Sequence, residues 1–335
     1  MREEYILKME NITKVFPGVK ALDQVHLRVK KQTVHAVMGE NGAGKSTLMK
    51  ILLGIYQADS GSVWFNGKVQ NFKGVQDALN HSLAMIHQEL SNVKQLTVAQ
   101  NIFLGKEPTH RGTGLVDTKT MMKETKQLMA SLNIEIDPSA KMEDLSVSMQ
   151  QLCEIAKAIS YHAVLIVMDE PTSAITSSEV KQLFKIIKNL IERGITIIYI
   201  THKMDEVFKI CDEISVYCDG KYVGTKAAKD ITSDQLIEMM VGRTLTQMFP
   251  KEQVEIGEPL LKVEGFSKKG VFENINFELK RGEILGVAGL IGSGRSEVME
   301  TIFGFSARPQ EKSIFVARSY RLIRQKKPLK ISWRC

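Results

Sequence analysis

The chain has 335 residues, of which 43% are hydrophobic and 25% charged, a balance that excludes a disordered or fibrous protein and allows two domains. Its net charge of +7 is concentrated in residues 307–335, which hold nine Lys/Arg and one Glu, whereas the rest of the chain holds 36 basic and 37 acidic groups. The neutral body lacks the excess positive charge that a nucleic-acid-binding surface needs.

Neither a signal peptide nor a membrane-spanning segment is predicted. The first residues, Met1 to Lys8, include acidic charge and no apolar core. The longest apolar run, Ala163–Met168, is far shorter than the roughly 20 residues that cross a bilayer. The four cysteines show no CxxC pairing and no metal-ligand spacing, which is typical of free thiols in a reducing cytosol. We therefore expect any membrane role to depend on a partner.

The first long block predicts strands, a glycine-rich turn and a helix in succession. Apolar patterns indicate strands at Tyr5–Met9, Ala21–Val29 and Val34–Met38. A helix is predicted from Lys45 to Leu53, ended by Gly54. A strand that runs through a glycine-rich loop into a helix is the phosphate-binding unit of α/β proteins.

Residues 90–144 have a different character and are interpreted as a helical insert, with apolar residues at helical spacing from Met121 to Leu132. Helices and strands then alternate again. The predicted elements are a helix at Gln150–Ser160, a strand at Val164–Met168, a helix at Ser178–Arg193 and a strand at Thr196–Ile200. This alternation predicts an α/β fold with a parallel sheet covered on both faces.

A phosphate-binding motif follows the strand Val34–Met38. Residues Gly39 to Ser46 match G-x-x-x-x-G-K-[ST] in full, and glycines let consecutive backbone N–H groups converge on phosphate oxygens. Lys45 is expected to neutralise the β- and γ-phosphates, and the Ser46 hydroxyl to bind Mg²⁺. The predicted nucleotide-binding residues of this segment are Gly39, Glu40, Asn41, Gly42, Ala43, Gly44, Lys45, Ser46 and Thr47.

Two adjacent acids, Asp169 and Glu170, end the predicted strand that begins at Val164. Burial of two carboxylates there is costly unless a metal or a donor pairs with them. Asp169 is therefore a candidate to hold Mg²⁺ through water, and Glu170 a candidate to orient and polarise the attacking water. His202 follows a strand and could reach a γ-phosphate at the carboxyl edge of the sheet. Solvated acids and a structural histidine are the alternatives.

Together these residues resemble the nucleotide-binding domain of ABC transporters, a P-loop NTPase, over nearly all of residues 5–305. The resemblance implies that Gln88 lies in the glutamine loop, which senses Mg²⁺ and contacts the permease, and that His202 is the switch histidine. It also implies that Phe16 stacks on adenine, although an isolated aromatic residue is more often part of the core. ATP and Mg²⁺ are the implied cofactors. The implied catalytic residues are Glu170, His202 and Gln88, and the implied Mg²⁺ ligands are Ser46, Gln88 and Asp169.

Two segments depart from the family pattern, and both concern the partner-facing side. The sequence Leu145-Ser146-Val147-Ser148-Met149 stands where LSGGQ is expected, and Thr176 stands where the D-loop usually has Asp. A loop without glycine approaches phosphate less easily. These departures put the signature function of this half in question.

A narrower resemblance is to the tandem ATPases of monosaccharide importers of the galactose/methyl galactoside type. It rests on the segments Phe16–Asp23, His87–Leu90, Met168–Ser173 and Met240–Arg243. It implies a peripheral protein at the cytoplasmic face of the cell membrane that hydrolyses ATP to drive sugar uptake through an integral membrane permease. An extracytoplasmic sugar-binding protein is an indirect partner, and no nucleic acid is implied. The alternatives are a non-transport ABC ATPase that acts on ribosomes or nucleic acid, and a non-catalytic nucleotide binder.

The two ends of the chain repeat each other. Leu7–Glu10 recurs as Leu261–Glu264, and Gly39–Gly54 is echoed by Gly289–Gly304. In the second loop Arg295 replaces lysine, so nucleotide binding and a structural turn are both open there. The predicted divisions are a first ABC domain at 1–248, a linker at 249–259, the incomplete start of a second ABC domain at 260–306, and an aberrant basic tail at 307–335.

The second copy is expected to stop before its own glutamine loop, signature and acidic strand. The segment from Arg308 to Cys335 is basic, lacks glycine and shows no sustained period, which favours a reading-frame change or early end over a basic tail that binds phospholipid headgroups. Because ABC sites are shared between two halves, the chain alone is expected to bind ATP·Mg²⁺ but to hydrolyse it slowly. An inactive truncated fragment is the corresponding alternative.

Overall fold

The computed structural model describes residues 4–88, 91–110, 112–241, 254–290 and 292–304. The chain divides into two compact units, Met1–Thr246 and Gln247–Cys335. In these described ranges no helix combines the length and apolar character needed to cross a membrane. Several predicted segments lie outside them, namely Glu89, Leu90, Gly242, Arg243, residues 249–253 of the linker, and the basic tail at 307–335.

The first unit alternates strands and helices as the sequence predicts. In chain order its elements are β1 (Tyr5–Phe16), β2 (Val19–Lys30), β3 (Val34–Met38), α1 (Lys45–Leu52), β4 (Ser60–Phe65), β5 (Lys68–Gln70), α2 (Val75–Asn80), β6 (Leu83–Ile86), α3 (Val98–Ile102), α4 (Thr118–Ser131), α5 (Val147–Ser160), β7 (Leu165–Asp169), α6 (Ser177–Glu192), β8 (Thr196–Ile200), α7 (Met204–Ile210), β9 (Glu213–Cys218), β10 (Lys221–Ala227) and α8 (Ser233–Val241).

A six-stranded sheet forms the centre of this unit, in the spatial order β10-β9-β3-β8-β7-β6. The neighbours pair in parallel, apart from the antiparallel hairpin of β9 and β10. The predicted parallel sheet is therefore confirmed, with one antiparallel edge strand. Because β3, β6, β7, β8 and β9 run in the same direction, their carboxyl ends meet at one edge of the sheet.

Both faces of the central sheet are covered, as expected. Side chains alternate between the faces along each strand. Val167 and Ile198 pack on one face against residues of α1 and β1. Ile166 and Tyr199 pack on the other face against residues of α5 and α6. Every residue of β3 and β8 is buried, which explains why these two strands are continuous apolar runs in the sequence.

A second, antiparallel sheet in the order β2-β1-β4-β5 belongs to the first of these two cores. A hydrogen bond and an ion pair connect β2 of this sheet to β9 of the central sheet. The hydroxyl of Tyr217, a fully buried residue on β9, donates to the backbone oxygen of His26, on β2, at 2.7 Å, and Lys30 Nζ lies 3.0 Å from Glu213 Oε1. Burial raises the pKa of Tyr217, so its hydroxyl stays protonated and remains a donor.

The segment predicted as a helical insert contains α3, α4 and a short 3₁₀ turn at Met142–Asp144. Asp117 caps α4, because its side chain accepts a hydrogen bond from the backbone N–H of Thr120 at 3.0 Å. Between residues 91 and 144, leaving out residue 111, the structure forms isolated β-bridges and no strand. The segment is thus helical where it is regular, with long connecting loops.

The second unit contains β11 (Pro259–Lys268), β12 (Phe272–Lys280) and α9 (Arg295–Ile302). The two strands form an antiparallel hairpin, and α9 begins after Gly294, whose φ of 81° matches the φ of 93° at Gly44 before α1. These elements resemble β1, β2 and α1 locally, and a second copy of the domain stays a prediction. Where β3 stands in the first unit, residues 283–290 form no strand, and Ile284 is 86% exposed.

We expect Tyr217→Phe to lower the free energy of unfolding by about 1–3 kcal/mol, because the His26 carbonyl then loses its partner in a buried place. Urea titration measures the change. Tyr161→Phe is the control: its hydroxyl bond to Leu104 is 3.4 Å long and exposed, so the expected change is below about 0.5 kcal/mol. Equal stability of the Tyr217→Phe variant and the wild type would contradict a structural link between the sheets.

Candidate nucleotide-binding site

A cavity of about 630 Å³ lies at the carboxyl edge of the central sheet. Its wall combines the loop before α1 with the ends of β6, β7 and β8, the β9–β10 turn and the start of β2. The lining residues are Phe16, Val19, Lys20, Ala21, Asn41, Gly42, Gly44, Lys45, Ser46, Thr47, Gln88, Asp169, Glu170, Ile200, Asp219 and Gly220.

A larger cavity, of about 860 Å³, lies on α4 and the loop Ile134–Ser139 and shares no lining residue with the first. Its wall is mostly apolar, with Lys126 and Asp137 among its charged residues. Size alone would favour it as a binding site. The smaller cavity is the better candidate because it gathers a lysine, two acids and a glycine-rich loop in one place.

The glycine-rich loop needs glycine at two positions. At Gly39 a Cβ atom would lie 2.3 Å from the backbone oxygen of Tyr217, and at Gly44 it would lie 2.7 Å from that of Ala21. Both residues also have positive φ, of 153° and 93°, which disfavours other residues. The loop can therefore pack tightly on β2 and β9 while α1 begins directly after it.

Lys45 is held at the base of this loop. Its Nζ donates hydrogen bonds to the backbone oxygens of Gly39 at 2.8 Å and Glu40 at 2.9 Å. Burial lowers the pKa of Lys45, and the nearby carboxylates of Glu170 and Asp169 oppose that shift. The ammonium group is thus partly removed from water beside two acids, where an added phosphate can compete for it.

Asp169 is half-buried at the end of β7, and this partial burial, reinforced by the neighbouring Glu170, raises its pKa. A bound cation would compensate the unfavourable burial of its charge. Ser46, Gln88 and Asp169 all line the cavity and can offer hydroxyl, amide and carboxylate oxygens, the donor types that suit Mg²⁺. The described residues contain no group of three or more His, Cys, Asp or Glu that could hold a metal ion.

Glu170 is fixed from two sides. Gln88 Nε2 donates to Glu170 Oε2 at 3.1 Å, and His202 Nδ1 lies 2.9 Å from Glu170 Oε1. The backbone N–H of Glu170 donates to the oxygen of Ile200 at 2.9 Å. Its φ is +46°, a left-handed conformation that non-glycine residues adopt where surrounding contacts enforce it. The carboxylate is therefore oriented between two side chains at the rim of the cavity.

Phe16 lines the cavity rather than the core. Its ring meets Tyr56 edge-on, with 5.3 Å between ring centroids, and Lys14 Nζ lies 5.6 Å from its centroid. These contacts hold one side of the ring. The alternative that Phe16 belongs to the hydrophobic core is therefore not what the structure shows. Stacking of its ring on a base stays a prediction.

The structure brings most of the predicted site residues together. Gly39 and Glu40 do not line the cavity, but their backbone oxygens accept hydrogen bonds from Lys45. Ala43 does not line it either and is buried within the loop at 2% exposure. His202 contacts the site through Glu170 and is not part of the cavity wall.

Six cavity residues were not predicted: Val19, Lys20, Ala21, Ile200, Asp219 and Gly220. Asp219 and Gly220 form the turn between β9 and β10, and the Asp-Gly pair is a recognised hairpin signal. The Gly220 carbonyl accepts a bond from the Asp23 backbone N–H at 2.8 Å. The turn could have been predicted from the sequence. Its contact with β2 could not, because it depends on the tertiary structure.

The atypical signature segment forms the start of α5. The Ser146 hydroxyl accepts a bond from the Met149 backbone N–H at 3.3 Å, and the Ser148 hydroxyl donates to Glu179 on α6. Glu179 also accepts from the backbone N–H of Thr176 at 2.7 Å. The two departures from the family pattern, at the signature and at Thr176, are thus linked through one carboxylate.

Residues 22–173 match the family model of ABC transporters. A protein of Geobacillus kaustophilus named ribose/galactose/methyl galactoside import ATP-binding protein is 56% identical over 316 residues, which cover 94% of this chain and 63% of that protein. A protein of the same name from Halalkalibacterium halodurans is 56% identical over 304 residues, 91% of this chain and 58% of the relative. The chain thus spans less than two thirds of the length of either relative.

Solved structures show the same fold. A nucleotide-free ATP-binding cassette from an ABC transporter matches with a TM-score of 0.63 and 27% identity, over 71% of this chain and 100% of the cassette. An ATP-binding cassette in its ADP conformation matches with a TM-score of 0.62 and 27% identity, over 72% of this chain and 100% of the cassette. The chain therefore contains an ABC transporter ATP-binding domain, built on the P-loop NTPase fold of the ABC ATPases.

Proposed function

We propose that this chain binds ATP with Mg²⁺ and hydrolyses ATP to energise the import of a monosaccharide of the ribose, galactose or methyl galactoside class. The observation that carries the proposal is the arrangement of Lys45, Asp169 and Glu170 around one cavity at the sheet edge. This arrangement supplies positive charge for phosphate, an oxygen donor for a cation and an oriented carboxylate for water.

In this proposal each side chain has a separate task. The loop N–H groups and Lys45 neutralise the phosphates, which keeps the nucleotide in place and stabilises charge during hydrolysis. Glu170 orients the attacking water, and its two partners, Gln88 and His202, keep its carboxylate in position. Ser46, Asp169 and Gln88 would hold Mg²⁺, which would supply further neutralisation of negative charge when bound.

The names of the relatives support the proposed partners. We propose that the chain works at the cytoplasmic face of the cell membrane, bound to a separate integral permease. An extracytoplasmic sugar-binding protein delivers the sugar to that permease. The proposed sugar class comes from the names of the relatives alone. The cavity described above has the chemistry of a nucleotide site and gives no information about the sugar.

A non-transport ABC ATPase acting on ribosomes or nucleic acid is the competing function. The balanced charge of the body, with 36 basic and 37 acidic groups outside residues 307–335, does not favour a phosphate-tracking surface. Identity of 56% to import ATP-binding proteins favours transport.

We expect Lys45→Ala to abolish ATP turnover and to weaken ATP binding strongly, because the phosphate charge then loses its cation. Lys50→Ala, an exposed lysine on the same helix, is the matched control and should keep normal binding. Glu170→Gln should bind ATP normally and lose hydrolysis, since it removes the charge that orients water and preserves the shape. Calorimetry and phosphate release measure these effects, and equal loss of binding in Lys45→Ala and Glu170→Gln contradicts the assigned roles.

We expect Asp169→Asn to remove most of the Mg²⁺ dependence of ATP binding, because the half-buried carboxylate is the negatively charged donor proposed for the cation. The measurement is the ATP dissociation constant with Mg²⁺ and with EDTA. Asp205→Asn, which removes an exposed carboxylate from α7, should leave the Mg²⁺ dependence intact. An Asp169→Asn variant with the Mg²⁺ response of the wild type shows that this donor is misassigned.

We expect the permease to contact Gln88 and the adjoining helical segment. A photoreactive residue at Asn92 or Leu96 should cross-link to a cytoplasmic loop of the permease in membrane vesicles. The same residue at Lys221, on β10, is the control. Capture from Lys221 alone places the contact on another face and rules out this arrangement.

A further inference from the structure

Glu206, on α7, is a buried carboxylate beside the site that neither its sequence context nor the cavity wall singles out. It is 6% exposed, whereas its neighbour Asp205 is on the surface. Burial of an unpaired carboxylate is strongly unfavourable, so a buried one needs donors to both oxygens.

The structure supplies those donors. Glu206 Oε1 accepts from the Thr172 hydroxyl at 2.7 Å and lies 3.4 Å from Lys203 Nζ. Glu206 Oε2 accepts from the Tyr199 hydroxyl at 2.8 Å and from the Thr201 hydroxyl at 3.5 Å. Because an ionised carboxylate only accepts hydrogen bonds, this set of donors suits the charged form of Glu206.

These donors come from the two segments that carry Glu170 and His202. Thr172 lies two residues after Glu170, and Thr201 and Lys203 flank His202 on either side. Lys203 Nζ also donates to the Thr172 carbonyl oxygen at 2.8 Å. One carboxylate thus joins the segment after β7 to the segment after β8.

Apart from the contacts that Glu206 makes with its neighbours, His202 has few contacts that fix its side chain. Its side chain is 63% exposed, and among the described residues it has one hydrogen-bonding partner, Glu170 at 2.9 Å. A surface histidine held by one bond has freedom to turn away. Glu206 contacts the side chains on each side of His202, those of Thr201 and Lys203, so a shift of the His202 backbone would disturb both contacts.

We propose that Glu206 is a positioning residue that holds His202 against Glu170. The inference rests on the proposed hydrolysis of ATP at this site. A role in stability alone explains the arrangement less well, since buried ion pairs commonly add little net stability compared with apolar residues of similar size. The placement of the donors around His202 is what a positioning role requires.

The first test observes the histidine ring directly and needs no hydrolysis. NMR spectra of the full chain labelled with ¹³C-histidine contain seven histidines, and the His202 signals are those lost in His202→Ala. In Glu206→Gln we expect the His202 ring signals to shift and broaden. Asp205→Asn removes an equal charge from the same helical turn and should leave them unchanged. Identical His202 signals in Glu206→Gln and wild type overturn the proposal.

The second test separates positioning from binding and folding. Glu206→Gln should lower kcat about tenfold or more while the ATP dissociation constant stays within about twofold. In a His202→Ala background the same substitution should lower kcat no further, because the group it positions is absent. If Glu206→Gln lowers kcat by the same factor in the His202→Ala background as in the wild type, the proposal is overturned.

An inactive wild-type chain and an unfolded Glu206→Gln variant can each be told apart from a failure of the positioning role. If the wild-type chain does not hydrolyse ATP, the proposed function fails, and the NMR comparison still decides the role of Glu206. If Glu206→Gln does not fold, both tests are made with Tyr199→Phe instead. This substitution removes one hydroxyl donor to Glu206 with little change of shape. Unchanged His202 signals and unchanged kcat in a folded Tyr199→Phe variant then overturn the proposal.

Discussion

The parallel register of β9, β3, β8, β7 and β6 is the constraint on which the site depends. Each strand of this sheet ends at the same edge, and each end carries one part of the site: the glycine-rich loop after β3, Gln88 after β6, the acids at β7, His202 after β8 and the Asp-Gly turn after β9. None of these segments is close to another in sequence. The sheet brings them to one edge, where Gln88 and His202 lie within hydrogen-bonding distance of Glu170.

The site residues are held in place by contacts with the strands behind them as well as by one another. Gly39 and Gly44 leave no room for a side chain against Tyr217 and Ala21, so the loop is fixed to the strands behind it. The left-handed backbone at Glu170 persists because Ile200 and two side chains enforce it. Preorganised donors and charges of this kind are the main source of catalytic power in phosphoryl transfer.

The parts predictable from sequence are those with a local physical signal. Strands β3 and β8 were predicted at their observed bounds, because a fully buried strand is a short continuous apolar run. By contrast, β1 extends from the predicted Tyr5–Met9 to Phe16, since register shifts in its pairing with β2 break the alternation. α5 begins at Val147 rather than Gln150, because Ser146 caps it. The Glu206 connection has no local signal, as its donors come from separate segments.

Hydrogen exchange of the loop amides at residues 39–47, measured by mass spectrometry with and without ATP·Mg²⁺, tests the central claim most directly. If the backbone N–H groups of this loop hold the phosphates, their exchange slows when ATP·Mg²⁺ is added to the wild-type chain, and the protection disappears in Lys45→Ala. Unchanged exchange at residues 39–47, together with protection of the cavity on α4, would place the ligand elsewhere and contradict the account.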